Sequence, residues 1–140
     1  MKTATCCRRW REPAVWVPLQ AIVIIHDRQI ARHGGAPGIR DLGLLESAAA
    51  RPRNRQVYAA PHLAEMAAAY AFGIAKAHAF IDGNKRTAFV TAATFLRLNR
   101  QGVRPDPFDG VRAMEALASG EMSEGTFAEW LAALMVAIDD

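Results

Sequence analysis

Cysteine is nearly absent from this chain: its two copies, Cys6 and Cys7, are adjacent, which excludes a disulfide framework. A reducing cytoplasm is therefore the expected compartment. Cys6-Cys7 runs at once into Arg8, Arg9 and Trp10, so the N-terminus lacks the apolar core of a secretory signal. No apolar run reaches the roughly 18 residues that a membrane span needs, and no membrane association is expected. No GxxxxGK[ST] loop occurs, and the two cysteines and four histidines show no zinc-ligand spacing. Excess charge is missing from most of the chain as well. Lys2, Arg8, Arg9 and Arg11 against Glu12 place +3 in the first thirteen residues, and the remainder balances at 13 basic and 13 acidic. A nucleic-acid-binding face should carry its basic surface on the fold itself, so direct nucleic-acid binding is not expected.

What is present suits one soluble domain of 140 residues, long enough to bury a core without metal or disulfides. Residues 1–13 lack periodicity and read as a disordered extension, leaving 14–140 as the domain. Leu19, Ile22, Val23, Ile25 and Ile30 recur at helical spacing between Pro18 and a Gly34-Gly35 stop. Asp41 is suited to cap a short helix over Leu42 to Ala50, with Leu44, Leu45 and Ala48 inward. Arg51-Pro52 should end it, making Arg51 to Ala60 a loop with room for a short hairpin. Leu63 to Ala77 is apolar around most of its circumference, as is Lys85 to Asn99, and these two helices should pack together centrally. Phe108 to Ala118 and Ser123 to Ile138 read as two more helices, and Val15 to Val17 is the one strand-like run. The fold class is all-α, with no internal repeat.

Between the two central helices lies His78-Ala-Phe-Ile-Asp-Gly-Asn-Lys-Arg86. His78 can accept a proton near neutral pH, although a histidine there can also merely cap a helix C-terminus. Asp82 is a single carboxylate, suited to magnesium or to capping the next helix. Gly83 permits close backbone approach to an anion, and the Asn84 amide could orient a phosphate oxygen. Lys85 and Arg86 stand at a helix N-terminus, where the macrodipole disfavours cations unless an anion lies among them. Phe80 should anchor the loop in the core.

This segment resembles the signature of the Fic/Doc superfamily, in particular its Doc (death-on-curing) toxin branch. His26-Asp27, Gly34-Gly35, Gly38-Ile-Arg40-Asp41, Leu44 to Ala48, Arg51-Pro52 and Ala67 to Gly73 resemble the branch in order and spacing, so the likeness covers about Trp16 to Trp130. It implies a Fic/Doc helical bundle over 14–140 with the active-site loop between two central helices. It also implies His78 as general base on a serine or threonine hydroxyl, Asp82 as Mg2+ ligand, Gly83 and Asn84 as the phosphate cradle, and Lys85 with Arg86 as the charge clamp. The larger Fic branch has a glycine where Lys85 stands and transfers a nucleotide monophosphate. In the Doc branch, lysine there is associated with transfer of the γ-phosphate of ATP to elongation factor Tu, which arrests translation. Ala79 departs from the proline of many members, at a position expected to face away from the chemistry. The superfamily's inhibitory [ST]xxxE[GN] helix has no match here, so inhibition is expected from a Phd-like antitoxin, making this the toxin of a type II toxin-antitoxin system.

Two alternatives remain at this level. One is AMP transfer to a protein hydroxyl, and the other is a non-catalytic antitoxin-binding or regulatory module. Arg51, Arg53, Arg55 and Tyr58 form the densest basic cluster outside the motif; they suit either a solvated loop or a flap that docks the target beside His78. His26, His33 and His62 have no ligand or nucleophile spacing and read as structural.

Overall fold

A computed structural model describes residues 14–58 and 62–138; the side chains of 55–58 lie outside that description, as do residues 1–13 whole. The described residues form six helices: α1 (Leu19–His33), α2 (Leu42–Tyr58), α3 (Leu63–Ala77), α4 (Asn84–Leu98), α5 (Pro107–Ser119) and α6 (Glu124–Leu134). Two two-residue strands, β1 (Gln101–Gly102) and β2 (Val136–Ala137), pair antiparallel. The expected all-α class is met.

α3 lies at the centre because its composition leaves it no wet face: ten of its fifteen residues are buried. It packs against α4, α2 and α6, and α1 covers the far side of α4. Its small residues let neighbours approach closely. A Cβ on Gly73 would sit 3.3 Å from the Ala48 carbonyl oxygen of α2, a spacing only glycine leaves comfortable. Tyr70 and Phe95 meet between α3 and α4, with Trp16 stacked on Phe95 at 5.6 Å.

Several boundaries differ from the sequence reading. Gly34 does stop α1, and the Asp41 carboxylate does accept the Leu44 N–H at 3.1 Å, but Leu44 is 39% exposed rather than inward. α2 does not end at Arg51-Pro52; it continues through Pro52 to Tyr58. An internal proline costs a helix about 3 kcal/mol, and tertiary contacts on both sides of it offset that cost. Pro52 is itself buried, Arg51 pairs with Glu124 of α6 and lies over the Phe72 ring, and the Arg53 guanidinium lies 5.5 Å from the Trp16 ring centre.

α6 likewise stops at Leu134 instead of running to Ile138. Met135 turns extended and buried, and the β-branched tail pairs with β1 while Ile138 N–H donates to the Arg100 carbonyl at 3.0 Å. Val15 to Val17 has no strand partner. Its backbone bonds side chains instead: Val15 exchanges two hydrogen bonds with the Asn99 amide, both 2.9 Å, and Val17 N–H donates to the Tyr70 hydroxyl at 3.0 Å.

Candidate active site

His78 is the C-cap of α3 and adopts a left-handed conformation, φ 51° and ψ 42°, that swings the chain out of the helix. Left-handed backbone is uncommon outside glycine and is kept where surroundings over-determine it. Here the determinant is Arg40, whose Nε and Nη2 both donate to the His78 carbonyl. The imidazole is left exposed, and its ring makes no hydrogen bond among the described residues. A base that must take a proton from an incoming hydroxyl needs that freedom.

The next three residues are clamped from behind by the segment after α1. Ala79 is fully buried, as expected of a position away from the chemistry, and its carbonyl accepts the N–H groups of Arg40 and Asp41 at 2.6 and 3.0 Å. Ile39 and Phe80 form an antiparallel bridge, and Ile81 N–H donates to the Gly38 carbonyl at 3.1 Å. Phe80 is 1% exposed and does anchor the loop.

Asn84, expected as part of the phosphate cradle, lines a groove with His78 and Asp82, and its side chain ties the loop together. Its Oδ1 accepts Phe80 N–H at 3.1 Å and its Nδ2 donates to the Phe80 carbonyl at 3.0 Å, so the amide closes the loop. An unpaired Phe80 backbone beside the core would cost more than a surface amide gains by waiting for a ligand, which is why this use prevails. Residue 84 also offers the groove its backbone N–H. The first intrahelical bond of α4 is Thr87 N–H to the Gly83 carbonyl, so the amides of 84–86 precede it at the positive end of the helix.

Asp82 immediately precedes that end. Its Oδ1 accepts Gly83 N–H at 2.8 Å and its Oδ2 accepts Ala36 N–H at 3.3 Å. These two bonds, with a smaller contribution from the Arg86 charge, hold the carboxyl below the usual range, so it is anionic at neutral pH. Gly35 makes the contact with Ala36 possible: a Cβ there would come within 2.8 Å of Asp82 Oδ2, and its φ of 118° is glycine territory. Among the described residues no group of three or more His, Cys, Asp or Glu side chains gathers to hold a metal. A lone, ionised, outward carboxylate fits an ion such as magnesium that completes its shell with phosphate oxygens and water.

Lys85 and Arg86 are exposed and form no ion pair among the described residues. With His78, Asp82 and Gly83 they line a groove of about 1040 Å³, large enough for a nucleotide. The rest of its lining mixes the apolar Val103, Pro105, Val111 and Met114 with the charged Arg104 and Glu115. The groove thus combines an exposed histidine, a helix N-terminus, an ionised carboxylate and two exposed cations that form no close ion pair among the described residues.

The sequence reading brought His78, Asp82, Gly83, Lys85 and Arg86 together, and the fold does the same. Of the basic cluster, Arg51 and Arg53 do not line the groove and are held as helical residues by Glu124, Phe72 and Trp16, while the side chains of Arg55 and Tyr58 lie outside the described residues. A flexible docking flap over Arg51 to Tyr58 is therefore replaced by the last turns of α2. Three contributors had no chemical signal of their own in the sequence. His26 and Arg40 bond backbone carbonyls 56 and 38 residues away, and Gly35 leaves room for the Asp82 carboxylate.

A protein kinase doc of Escherichia phage P1 is 36% identical over 113 residues, covering 80% of this chain and 89% of that protein. A toxin Doc of Mycolicibacterium smegmatis is 45% identical over 87 residues, covering 60% of this chain and 65% of that protein. Residues 16–96, which include the whole His78 to Arg86 loop, all of α3 and most of α4, match the model of the Fic/DOC family. With its site, its fold and its relatives in agreement, the chain belongs to the Fic/DOC family, on the Doc side of it.

Proposed function

We propose that this protein is a Doc-type toxin that transfers the γ-phosphate of ATP to a serine or threonine hydroxyl of elongation factor Tu and is silenced by a Phd-like antitoxin. The observation that carries the reading is Lys85. It stands beside Arg86 at the start of α4, without an ion pair among the described residues, where phosphate charge is the natural complement. The names of the relatives, a protein kinase and a toxin, support the same direction.

In this reading the His78 imidazole accepts the proton of the attacking hydroxyl, and the hydroxyl oxygen forms a bond to the γ-phosphorus as the bond to the β-phosphate oxygen breaks, leaving ADP. Lys85, Arg86 and the amides of 84–86 hold the phosphates and offset charge as it moves onto the leaving oxygen. Asp82 is the residue that would hold Mg2+, which when bound supplies charge neutralisation to the phosphates.

The test is label transfer. Purified protein with elongation factor Tu and Mg2+ is expected to move label from γ-labelled but not α-labelled ATP. Label from the α position would replace phosphotransfer with nucleotidyl transfer, and no label from either would remove this target. His78→Ala should lower transfer by about 10²–10⁴-fold and abolish growth arrest on expression without an antitoxin.

A further inference from the structure

His26 is the one histidine sealed in the core, 1% exposed on α1. Its ring lies flat on Phe80, with centroids 3.8 Å apart and planes within 6°. Its Nε2 is 2.8 Å from the carbonyl oxygen of Asp82, 56 residues away. A carbonyl only accepts, so Nε2 carries the proton in this contact. One turn further along α1, the Ile30 methyl reaches both Gly35 and Gly83: built Cβ atoms there would meet it at 3.1 and 3.2 Å. One face of α1 therefore props the turn at Asp82 and Gly83 from behind, while the Asp82 carboxylate faces outward.

We infer that His26 is a positioning residue for Asp82, an inference that rests on the magnesium–ATP reading above. The ring fixes Phe80 by stacking, and Nε2–H fixes the Asp82 carbonyl. With both ends of the Phe80 to Asp82 stretch held, the carboxylate keeps its bonds to Gly83 N–H and Ala36 N–H and presents its remaining lone pairs to the groove. His26 touches neither substrate nor metal. Groups that hold a metal ligand in place in this way typically contribute 10–100-fold to metal affinity.

Two substitutions separate the ring from the donor. His26→Phe keeps an aromatic plane on Phe80 and deletes the N–H; His26→Gln returns an N–H donor near the Nε2 position without the ring. The first measurement needs no ligand. In His26→Phe the amide exchange of Gly83 and Ala36 is expected to quicken about tenfold more than that of Thr91 and Ala92 in the same protein, which corrects for any overall loss of stability. His26→Gln should restore most of it. Exchange that changes only in proportion to Thr91 and Ala92, or a Gln variant no better than Phe, overturns the inference.

The second measurement is Mg–ATP binding by calorimetry, expected to weaken about tenfold in His26→Phe and to recover within about threefold in His26→Gln. Equal affinity of wild type and His26→Phe overturns the positioning role. Wild type that binds no Mg–ATP removes the functional reading instead, and the exchange data still decide His26.

Discussion

At the scale of single residues, Asp82 sets the demands that its neighbours meet. Two backbone N–H groups favour its ionised form, so its folded pKa lies below the ordinary carboxyl value of 3.8. Its favourable contribution is complete above that value and is lost as pH falls through the lower, folded pKa. A carbon-detected titration of the Asp82 carboxyl should therefore show a midpoint under 3.8; a midpoint above it would contradict the two bonds. Gly35→Ala tests the same contact from the other side. A methyl 2.8 Å from Oδ2, on backbone at φ 118°, must push the carboxylate away from Ala36. The variant is expected to lose about 1–3 kcal/mol of stability, measured by chemical denaturation, and to raise the Asp82 midpoint. His78, Asp82 and Lys85 were legible in the sequence as neighbours, because one short loop carries all three and the fold keeps them in one groove. His26, Gly35 and Arg40 were legible as part of the family likeness but not in what they contact, since His26 and Arg40 bond another segment's backbone and Gly35 only leaves room for a carboxylate. Asn84 was legible as part of the loop but not in what its amide bonds.

At the scale of elements, the helices were legible where apolar periodicity continued, and their ends were not where tertiary contacts override local signals. Pro52 is the clearest instance. Its missing N–H is a real local penalty, yet α2 runs on because Arg51 is tied to α6 and to Phe72 of α3. The tail after Leu134 is the converse, where a run suited to helix is drawn into antiparallel pairing with Gln101 and Gly102. Arg51→Ala measures what the first contact contributes. The pair with Glu124 is partly exposed and worth under about 1 kcal/mol, and the cation over Phe72 adds about 0.5–1 kcal/mol. Thermal unfolding should thus show a loss of about 1 kcal/mol, with Mg–ATP affinity unchanged. A large loss of target phosphorylation at full stability would return Arg51 to the docking role that the helix argues against.

At the scale of the whole molecule, the site is assembled from three directions: His78 from the end of α3, the cations from the start of α4, and the clamp on Asp82 from α1 and residues 34–41. The all-α class and the central hairpin of α3 and α4 follow from composition, because helices apolar on most sides have nowhere else to go. How the N-terminal stretch 14–18 is held does not follow, since it is fixed by the side chains of Asn99 and Tyr70 rather than by a strand. This arrangement separates stability from chemistry. Asn99 lies past the end of α4, about 22 Å from its start at 1.5 Å per residue, and its amide also donates to the Phe95 carbonyl at 2.8 Å. Asn99→Ala leaves both the N–H and the carbonyl of Val15 without these partners, at a cost of about 2–3 kcal/mol, or roughly 6–10 °C in thermal midpoint. Because no part of the Asp82 clamp runs through that end, Mg–ATP affinity measured well below the midpoint should stay within about twofold of wild type. Gly35→Ala, with comparable destabilisation, should lose affinity by about tenfold or more. Equal losses of affinity in the two variants would mean that the loop is held by the stability of the bundle at large and not by the local clamp of α1 and residues 34–41.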